Sequence, residues 1–259
     1  MMKSCSDLMR MIKSAEGMTR MVQLYGSREG EVARQMERYM LLLKRHEDLV
    51  GTEKMPLLVS APGRTELCGN HTDHNNGRVL AAAVNLDTVA AVSPRDDLQI
   101  TLHSEGFTPI RVDLNNLSPV KEEQGTPASI IRGIAARMQE MGCMVRGFDG
   151  TATSNVLSGS GLSSSAAFEV LICAIFDALY NGMKVDPIER AKIAQYAENV
   201  YFGKPCGLMD QMASSVGGLV AIDFKAEPKV TPLQYDFSAR GYSLIVVNTG
   251  GSHDDLTEE

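Results

Sequence analysis

The chain has 259 residues, of which 44% are hydrophobic and 22% are charged, close to the averages for globular proteins. This composition excludes a disordered, collagen-like or disulfide-scaffold chain. The 32 acidic and 25 basic residues give a net charge of −7. No long basic run offsets that charge, so binding of nucleic acid or another polyanion is not expected as the main function.

The cysteines and the N-terminus bear on the cellular compartment. The five cysteines are scattered and never spaced as CxxC, a pattern typical of reduced thiols rather than of a disulfide framework or a zinc site. Charged residues interrupt the apolar positions at the N-terminus, so no signal peptide is indicated. We therefore expect a cytoplasmic protein with no membrane partner.

Residues 1–55 are predicted to form a helical N-terminal extension. Apolar residues recur there at helical spacing, at Val32, Met36, Tyr39, Met40 and Leu43. Methionine-rich stripes of this kind are usually packing surface. The extension is expected to pack on the main domain or on a partner.

From Leu57 onwards, strands and helices alternate irregularly. Strands are predicted over residues 57–61 (ended by Pro62-Gly63), 79–93, 98–104, 110–114, 147–156, 218–224 and 243–249. Helices are predicted over 127–141, from about Ser165 to Leu179, and from Asp186-Pro187 to about Tyr201. This mixture indicates the α+β class.

The first polar motif is a glycine- and serine-rich loop between a strand and an apolar helix. Its candidate phosphate-binding residues are Gly159, Ser160, Gly161, Leu162, Ser163, Ser164 and Ser165. Free N–H groups at a helix N-terminus suit a phosphate, and serine hydroxyls can ligate Mg²⁺. A tight turn with serine caps is the alternative. The loop fits neither a Walker A motif nor GxGxxG.

The second motif spans residues 62–77, PGRTELCGNHTDHNNG. Its polar groups are too dense to be buried without partners. Arg64 could clamp a phosphate, and His71 and Asp73 could bind sugar hydroxyls. A metal held by His71, Asp73 and His74, or a solvated turn, are the alternatives.

The third motif, ENVYFGKPCGLMDQ, covers residues 198–211. Glu198 lies near the end of a predicted helix. Asp210 follows a Pro-Cys-Gly turn and could begin the next helix, where an N-cap is the simpler explanation for an aspartate.

Taken together and in this order, the three motifs resemble those of the GHMP small-molecule kinases, and among these the galactokinases. APGRTELCGNHTDHNNG is similar to the galactokinase signature, whose usual form is close to GRxNLIGEHTDYNGG. The resemblance runs from about Leu57 to Thr249. It implies a GHMP kinase N-terminal, ATP-binding domain over residues 56–259. Its expected fold is ribosomal protein S5 domain 2-like, a mixed sheet with helices on one face, preceded here by the helical extension.

The resemblance also implies roles for individual residues. Asp210 would be the catalytic aspartate, and Arg64 would hold it and neutralise charge at the transferring group. Ser165, with Ser164, and Glu198 would be ligands of Mg²⁺, and the loop from Gly159 to Ser165 would wrap the phosphates of ATP. The implied substrate-binding residues are Arg64, Asn70, His71, Asp73, Gly207 and Asp210.

The implied reaction is ATP-dependent phosphorylation of a monosaccharide, with galactose 1-phosphate as the expected product. Asn70 replaces a glutamate of the signature that contacts the sugar, and His74 replaces a tyrosine, so an amino sugar is an alternative acceptor. A non-catalytic sugar- and ATP-binding relative is a further alternative. The family's second domain with its third motif is not found in the sequence, so an inactive fragment is also considered. The oligomeric state is left open.

Overall fold

The computed structural model describes residues 3–157, 159–235 and 237–247. The helices are α1 (Cys5–Ile12), α2 (Ala15–Tyr25), α3 (Glu31–Val50), α4 (Pro127–Glu140), α5 (Ser164–Phe176), α6 (Pro187–Tyr196) and α7 (Met209–Val216). The strands are β1 (Leu57–Cys68), β2 (Arg78–Pro94), β3 (Gln99–Ser104), β4 (Ile110–Asp113), β5 (Phe148–Ser154), β6 (Leu219–Asp223) and β7 (Lys229–Leu233).

The strands form one seven-stranded mixed sheet. Its order is β4-β3-β5-β2-β6-β7, and β1 pairs with β2. The β3–β5 pair is parallel and the other neighbouring pairs are antiparallel. The long strand β2 joins the parts of the sheet, because it pairs with β5, β6 and β1. A mixed sheet with packed helices confirms the predicted α+β class.

The two faces of β2 carry two different cores, because successive side chains of a strand point to opposite faces. Ala90 and Val92 belong to the main core with apolar residues of α4 and α5. Val89 and Ala91 join the cluster formed by α1, α2 and α3. The N-terminal helices therefore pack on the sheet, on the face opposite to α4 and α5.

A buried polar network joins these N-terminal helices to the sheet. The Asp87 carboxylate of β2 accepts hydrogen bonds from Arg38 Nη1 at 2.6 Å and from the Tyr25 hydroxyl at 2.7 Å. The Ser60 hydroxyl of β1 also donates to it. The Arg38 and Asp87 side chains are only 11% and 6% exposed, so α3 supplies the countercharge for a carboxylate buried in the sheet.

His46 is a second buried link between α3 and the sheet. Its Nε2 lies 2.8 Å from Ser93 Oγ and its Nδ1 lies 3.2 Å from Thr151 Oγ1. The side chain is fully buried. Burial disfavours the imidazolium and lowers the pKa of His46 from 6.5 to about 4.

This lowered pKa predicts a loss of stability in mild acid. Between these two pKa values the unfolded state binds a proton at His46 and the folded state does not. The contribution of neutral His46 to the free energy of unfolding is therefore fully present above pH 6.5 and is lost as the pH falls towards 4. Between pH 7 and pH 5 the loss from His46 is about 2 kcal/mol in the free energy of unfolding. Urea unfolding of the parent and of His46→Gln at both pH values measures it. An equal loss in both proteins would contradict the assignment.

Two strand predictions are wrong. The first strand does not stop at Pro62-Gly63: β1 continues to Cys68, because an irregularity in register between Pro62 and Arg64 absorbs the interruption. Residues 243–247 of the predicted last strand form no strand, and residues 248 and 249 lie outside the described residues. Ile245 and Val247 are exposed, and in the described part of the chain no strand pairs with this run.

In the part of the chain that the structure describes, one segment meets the length and composition test for a membrane span. Ser164–Asn181 has 18 residues and a mean hydropathy of 1.3. However, 61% of it is buried inside the structure, and the core helix of a soluble protein passes the same test. The segment is therefore only weak evidence for a membrane span.

Candidate active site

The site is centred on Asp210, in the first turn of α7. Arg64 of β1 holds its carboxylate with two hydrogen bonds, Nε to Oδ1 and Nη2 to Oδ2, both 2.6 Å long. The Arg64 side chain is 7% exposed and that of Asp210 is 31% exposed. The N-cap of α7 is Leu208, so the N-cap explanation for Asp210 is wrong. A two-bond pair of this kind fixes both side chains.

The glycine- and serine-rich loop meets the same carboxylate. The Ser163 hydroxyl donates to Asp210 Oδ2, and Arg64 Nη1 donates to the carbonyl of Gly161 at 2.6 Å. Gly161 and Ser163 both have left-handed backbones, with φ values of 72° and 56°. Three segments that are far apart in sequence therefore converge on Arg64 and Asp210.

The first turn of α5 has no side-chain cap. Ser163 occupies the N-cap position, but its hydroxyl is directed to Asp210 and not to the helix. The first N–H groups of an α-helix have no partner within the helix, and they carry a partial positive charge. This end of α5 thus has the chemical character of an anion site next to Asp210. Ser164 and Ser165 lie in this turn, and Ser165 is exposed.

Asp73 ties the second motif to the start of α7. Its Oδ2 accepts a hydrogen bond from the Met209 backbone N–H at 3.0 Å. A Cβ on Gly207 would lie only 1.8 Å from the same oxygen, so a glycine is required for this approach. Asp73 and Gly207 therefore lie against each other.

The turn before Asp73 has a strained backbone. Asn70 and His71 have φ values of 58° and 51°, a conformation that asparagine tolerates better than most residues. Both residues are exposed. The imidazole of His71 contacts the carboxylate of Glu66, with 2.5 Å between Nδ1 and Oε2.

Glu198 lies in a buried polar cluster with Glu169 and Gln211, and of these three only Glu198 is a predicted site residue. Gln211 Nε2 donates to Glu198 Oε2 at 2.9 Å and to Glu169 Oε2 at 3.0 Å. Burial, together with the nearby Glu198 charge, raises the pKa of Glu169 well above its usual value. The sequence analysis missed Glu169 and Gln211. The signal was a lone charged residue within the otherwise apolar α5 helix.

The structure brings some of the predicted residues into direct contact but not all of them. Direct contacts join Arg64, Gly161, Ser163 and Asp210, and others join Asp73 to Gly207 and Met209. Ser165 is exposed whereas Glu198 is buried. In the described ranges, no cluster of three or more His, Cys, Asp or Glu residues could hold a metal ion.

Two known protein families match the parts of the chain that form this site. The galactokinase galactose-binding signature matches residues 44–94, which include Arg64, Asn70, His71 and Asp73. The N-terminal domain of GHMP kinases matches residues 129–218, which include the loop, Glu198 and Asp210.

Individual relatives agree with these matches. A galactokinase of Streptomyces coelicolor is 36% identical over 215 residues, covering 81% of this chain and 54% of the relative. A galactokinase of Bacillus subtilis is 33% identical over 199 residues, covering 73% of this chain and 49% of the relative. The chain thus spans about half the length of these curated relatives.

Solved structures show the same fold. A Lactococcus lactis galactokinase complexed with galactose superposes with a TM-score of 0.67 and 26% identity, over 75% of this chain and 51% of that one. A Methanococcus jannaschii mevalonate kinase superposes with a TM-score of 0.59 and 16% identity, over 71% and 57%. The second match supports the fold alone. The chain therefore belongs to the GHMP kinases and is, within that family, galactokinase-like.

Proposed function

We propose that the protein is an ATP-dependent sugar kinase that transfers the γ-phosphate of ATP to galactose and forms galactose 1-phosphate. One observation carries the proposal. Arg64 and Ser163, from two distant motifs, fix the Asp210 carboxylate beside the uncapped N-terminus of α5. An acceptor hydroxyl at Asp210 would thus lie next to a site suited to phosphate.

Asp210 is proposed to orient the anomeric hydroxyl and to accept its proton as the hydroxyl attacks the γ-phosphate. Catalysis of phosphoryl transfer depends mainly on positioning and on neutralising charge. Arg64 contributes to both, because it holds Asp210 rigidly and brings a cation to the transferring group. The carboxylate is 31% exposed, so it is accessible to a substrate.

ATP is proposed to bind along the loop from Gly159 to Ser165. The positive φ values of Gly159 and Gly161 give a backbone that can curl closely around phosphates. The free N–H groups at the start of α5 would donate to phosphate oxygens. In this proposal residues 56–259 form the ATP-binding domain and residues 1–55 form a helical extension of it.

The reaction is proposed to require Mg²⁺ held by Ser165 and Glu198. The donors fit, since Mg²⁺ prefers oxygen ligands. Within the described residues the buried Gln211 Oε1 has no hydrogen-bond partner, and the Nε2 atom of the same amide donates to Glu198. When bound, Mg²⁺ would neutralise charge on the phosphate oxygens of ATP.

The sugar is proposed to bind to the turn formed by Asn70, His71 and Asp73, together with Gly207. The likeness to the galactokinase solved with galactose supports this assignment.

The five cysteines are all free thiols, which agrees with a cytoplasmic location.

A transfer assay tests the proposal. The intact protein is incubated with Mg²⁺, γ-labelled ATP and one sugar at a time: galactose, galactosamine, N-acetylgalactosamine or glucose. We expect labelled sugar phosphate, formed fastest from galactose. Faster labelling of an amino sugar would show that this sugar, and not galactose, is the preferred substrate. Binding of galactose and ATP with no transfer would show a non-catalytic relative.

A further inference from the structure

The carboxylate of Glu66 is a feature of the site that the proposed reaction does not use. In β1, Arg64, Thr65 and Glu66 lie opposite Ala83, Ala82 and Ala81 of β2 with no irregularity between them. Residues two apart in a regular strand point to the same face, at a spacing of about 7 Å. Glu66 therefore faces the same side of β1 as Arg64, which holds Asp210.

Glu66 is fully engaged with His71. The His71 backbone N–H lies 3.0 Å from Oε1 and 3.2 Å from Oε2, and the imidazole Nδ1 lies 2.5 Å from Oε2. The Glu66 side chain is 11% exposed, whereas that of His71 is 58% exposed. A mostly buried carboxylate thus holds both the backbone and the ring of a residue that is open to a ligand.

This contact determines what His71 presents to a ligand. A carboxylate can only accept, so Nδ1 is the ring nitrogen that donates to Glu66. Nε2 is then the ring atom available to a sugar hydroxyl, and no described residue bonds to it. Glu66 also holds the N–H of a residue whose φ is 51°, so it stabilises the left-handed turn that carries Asn70 and His71.

The motif itself suggests that the residue types at positions 66 and 70, here Glu66 and Asn70, depend on each other. The usual signature, GRxNLIGEHTDYNGG, has an amide at the position of Glu66 and a carboxylate at the position of Asn70. This chain reads GRTELCGNHTDH, with the two groups exchanged. Positions 66 and 70 together therefore keep one carboxylate and one amide. Here the carboxylate is the mostly buried Glu66, which contacts His71, and the amide is the exposed Asn70.

We infer that Glu66 determines sugar specificity by orienting His71, and that it acts as a unit with Asn70. Glu66 is a positioning residue: it acts on the sugar through His71. The inference rests on the proposed sugar kinase function. A single change leaves positions 66 and 70 with two carboxylates or with none, whereas the double change restores the arrangement of the usual signature.

A double-mutant cycle of Glu66→Asn, Asn70→Glu and the double variant tests the inference in the intact protein. Calorimetry with galactose and N-acetylgalactosamine gives sugar Kd values, and kinetics give KM for sugar and for ATP. Each single variant is expected to raise the Kd for the preferred sugar about tenfold or more while KM for ATP stays unchanged. The double variant is expected to recover most of that loss. Glu37→Asn, an exposed charge change on α3, is the matched control and should match the parent.

The outcomes separate this inference from the proposed function. Single effects that multiply in the double variant would show two independent sites and overturn the inference. A fall in the thermal midpoint with unchanged sugar affinity would also overturn it, because Glu66 would then be only structural. A parent protein that binds no sugar would overturn the proposed function and this inference together. A parent that transfers phosphate to sugar, with independent single effects, would overturn the inference alone.

Discussion

Replacing Asp210 by asparagine is expected to lower kcat for sugar phosphorylation by about 10³-fold, within the range typical of a positioned general base. The amide keeps the size of the side chain but loses the charge that Arg64 holds through two hydrogen bonds. It also cannot take the proton of the attacking hydroxyl. The Kd for ATP should change little, because the loop and the first turn of α5 remain. Steady-state kinetics and calorimetry measure the two effects separately.

Asp186→Asn is the matched control for this substitution. Asp186 is the N-cap of α6, where its side chain accepts a hydrogen bond from the Ile188 N–H, and asparagine caps helices as well as aspartate does. The control should therefore keep the kcat of the parent. An Asp210→Asn protein that is folded, binds ATP and turns over at the rate of the parent would contradict the proposed role of Asp210.

Replacing Asp87 by asparagine is expected to lower the free energy of unfolding by about 3 kcal/mol, at the lower end of values for broken buried ion pairs. The Arg38 side chain is 11% exposed, so its charge would remain inside the protein without a carboxylate. Tyr25 and Ser60 would lose a charged acceptor as well. Urea unfolding at pH 7 measures the change.

The exposed pair Arg137–Glu140 provides the control. Its side chains are 44% and 53% exposed, and such pairs contribute about 0.5 kcal/mol or less. Glu140→Gln should therefore unfold almost as the parent does. An equally small effect of Asp87→Asn would mean that the N-terminal helices are not held to the sheet by this network.

Local sequence patterns predicted those parts of the fold that depend on neighbouring residues. Pro127 begins α4, and Asp186-Pro187 begins α6, as their helix-start signals indicate. The predicted strand at 79–93 corresponds to β2. The strand β7 was missed because Pro232 interrupts its pattern.

The contacts of the site could not be predicted from such patterns. The hydrogen bonds of Asp210 join it to residues 146 and 47 positions earlier in the chain, Arg64 and Ser163. Only the resemblance of the motifs to a family predicted that they meet. Likewise, Gln211 appeared as a neighbour of Asp210, yet its amide bridges two buried carboxylates from α5 and from the segment after α6.

The most direct test of the central claim is the ³¹P NMR spectrum of the reaction mixture of the intact protein with ATP, Mg²⁺ and galactose. We predict a new phosphomonoester signal, coupled to the anomeric proton of galactose, that grows in step with the signals of ADP. ADP accompanied only by inorganic phosphate, or phosphate attached to another oxygen of the sugar, would contradict the claim that Asp210 directs the anomeric hydroxyl to the γ-phosphate.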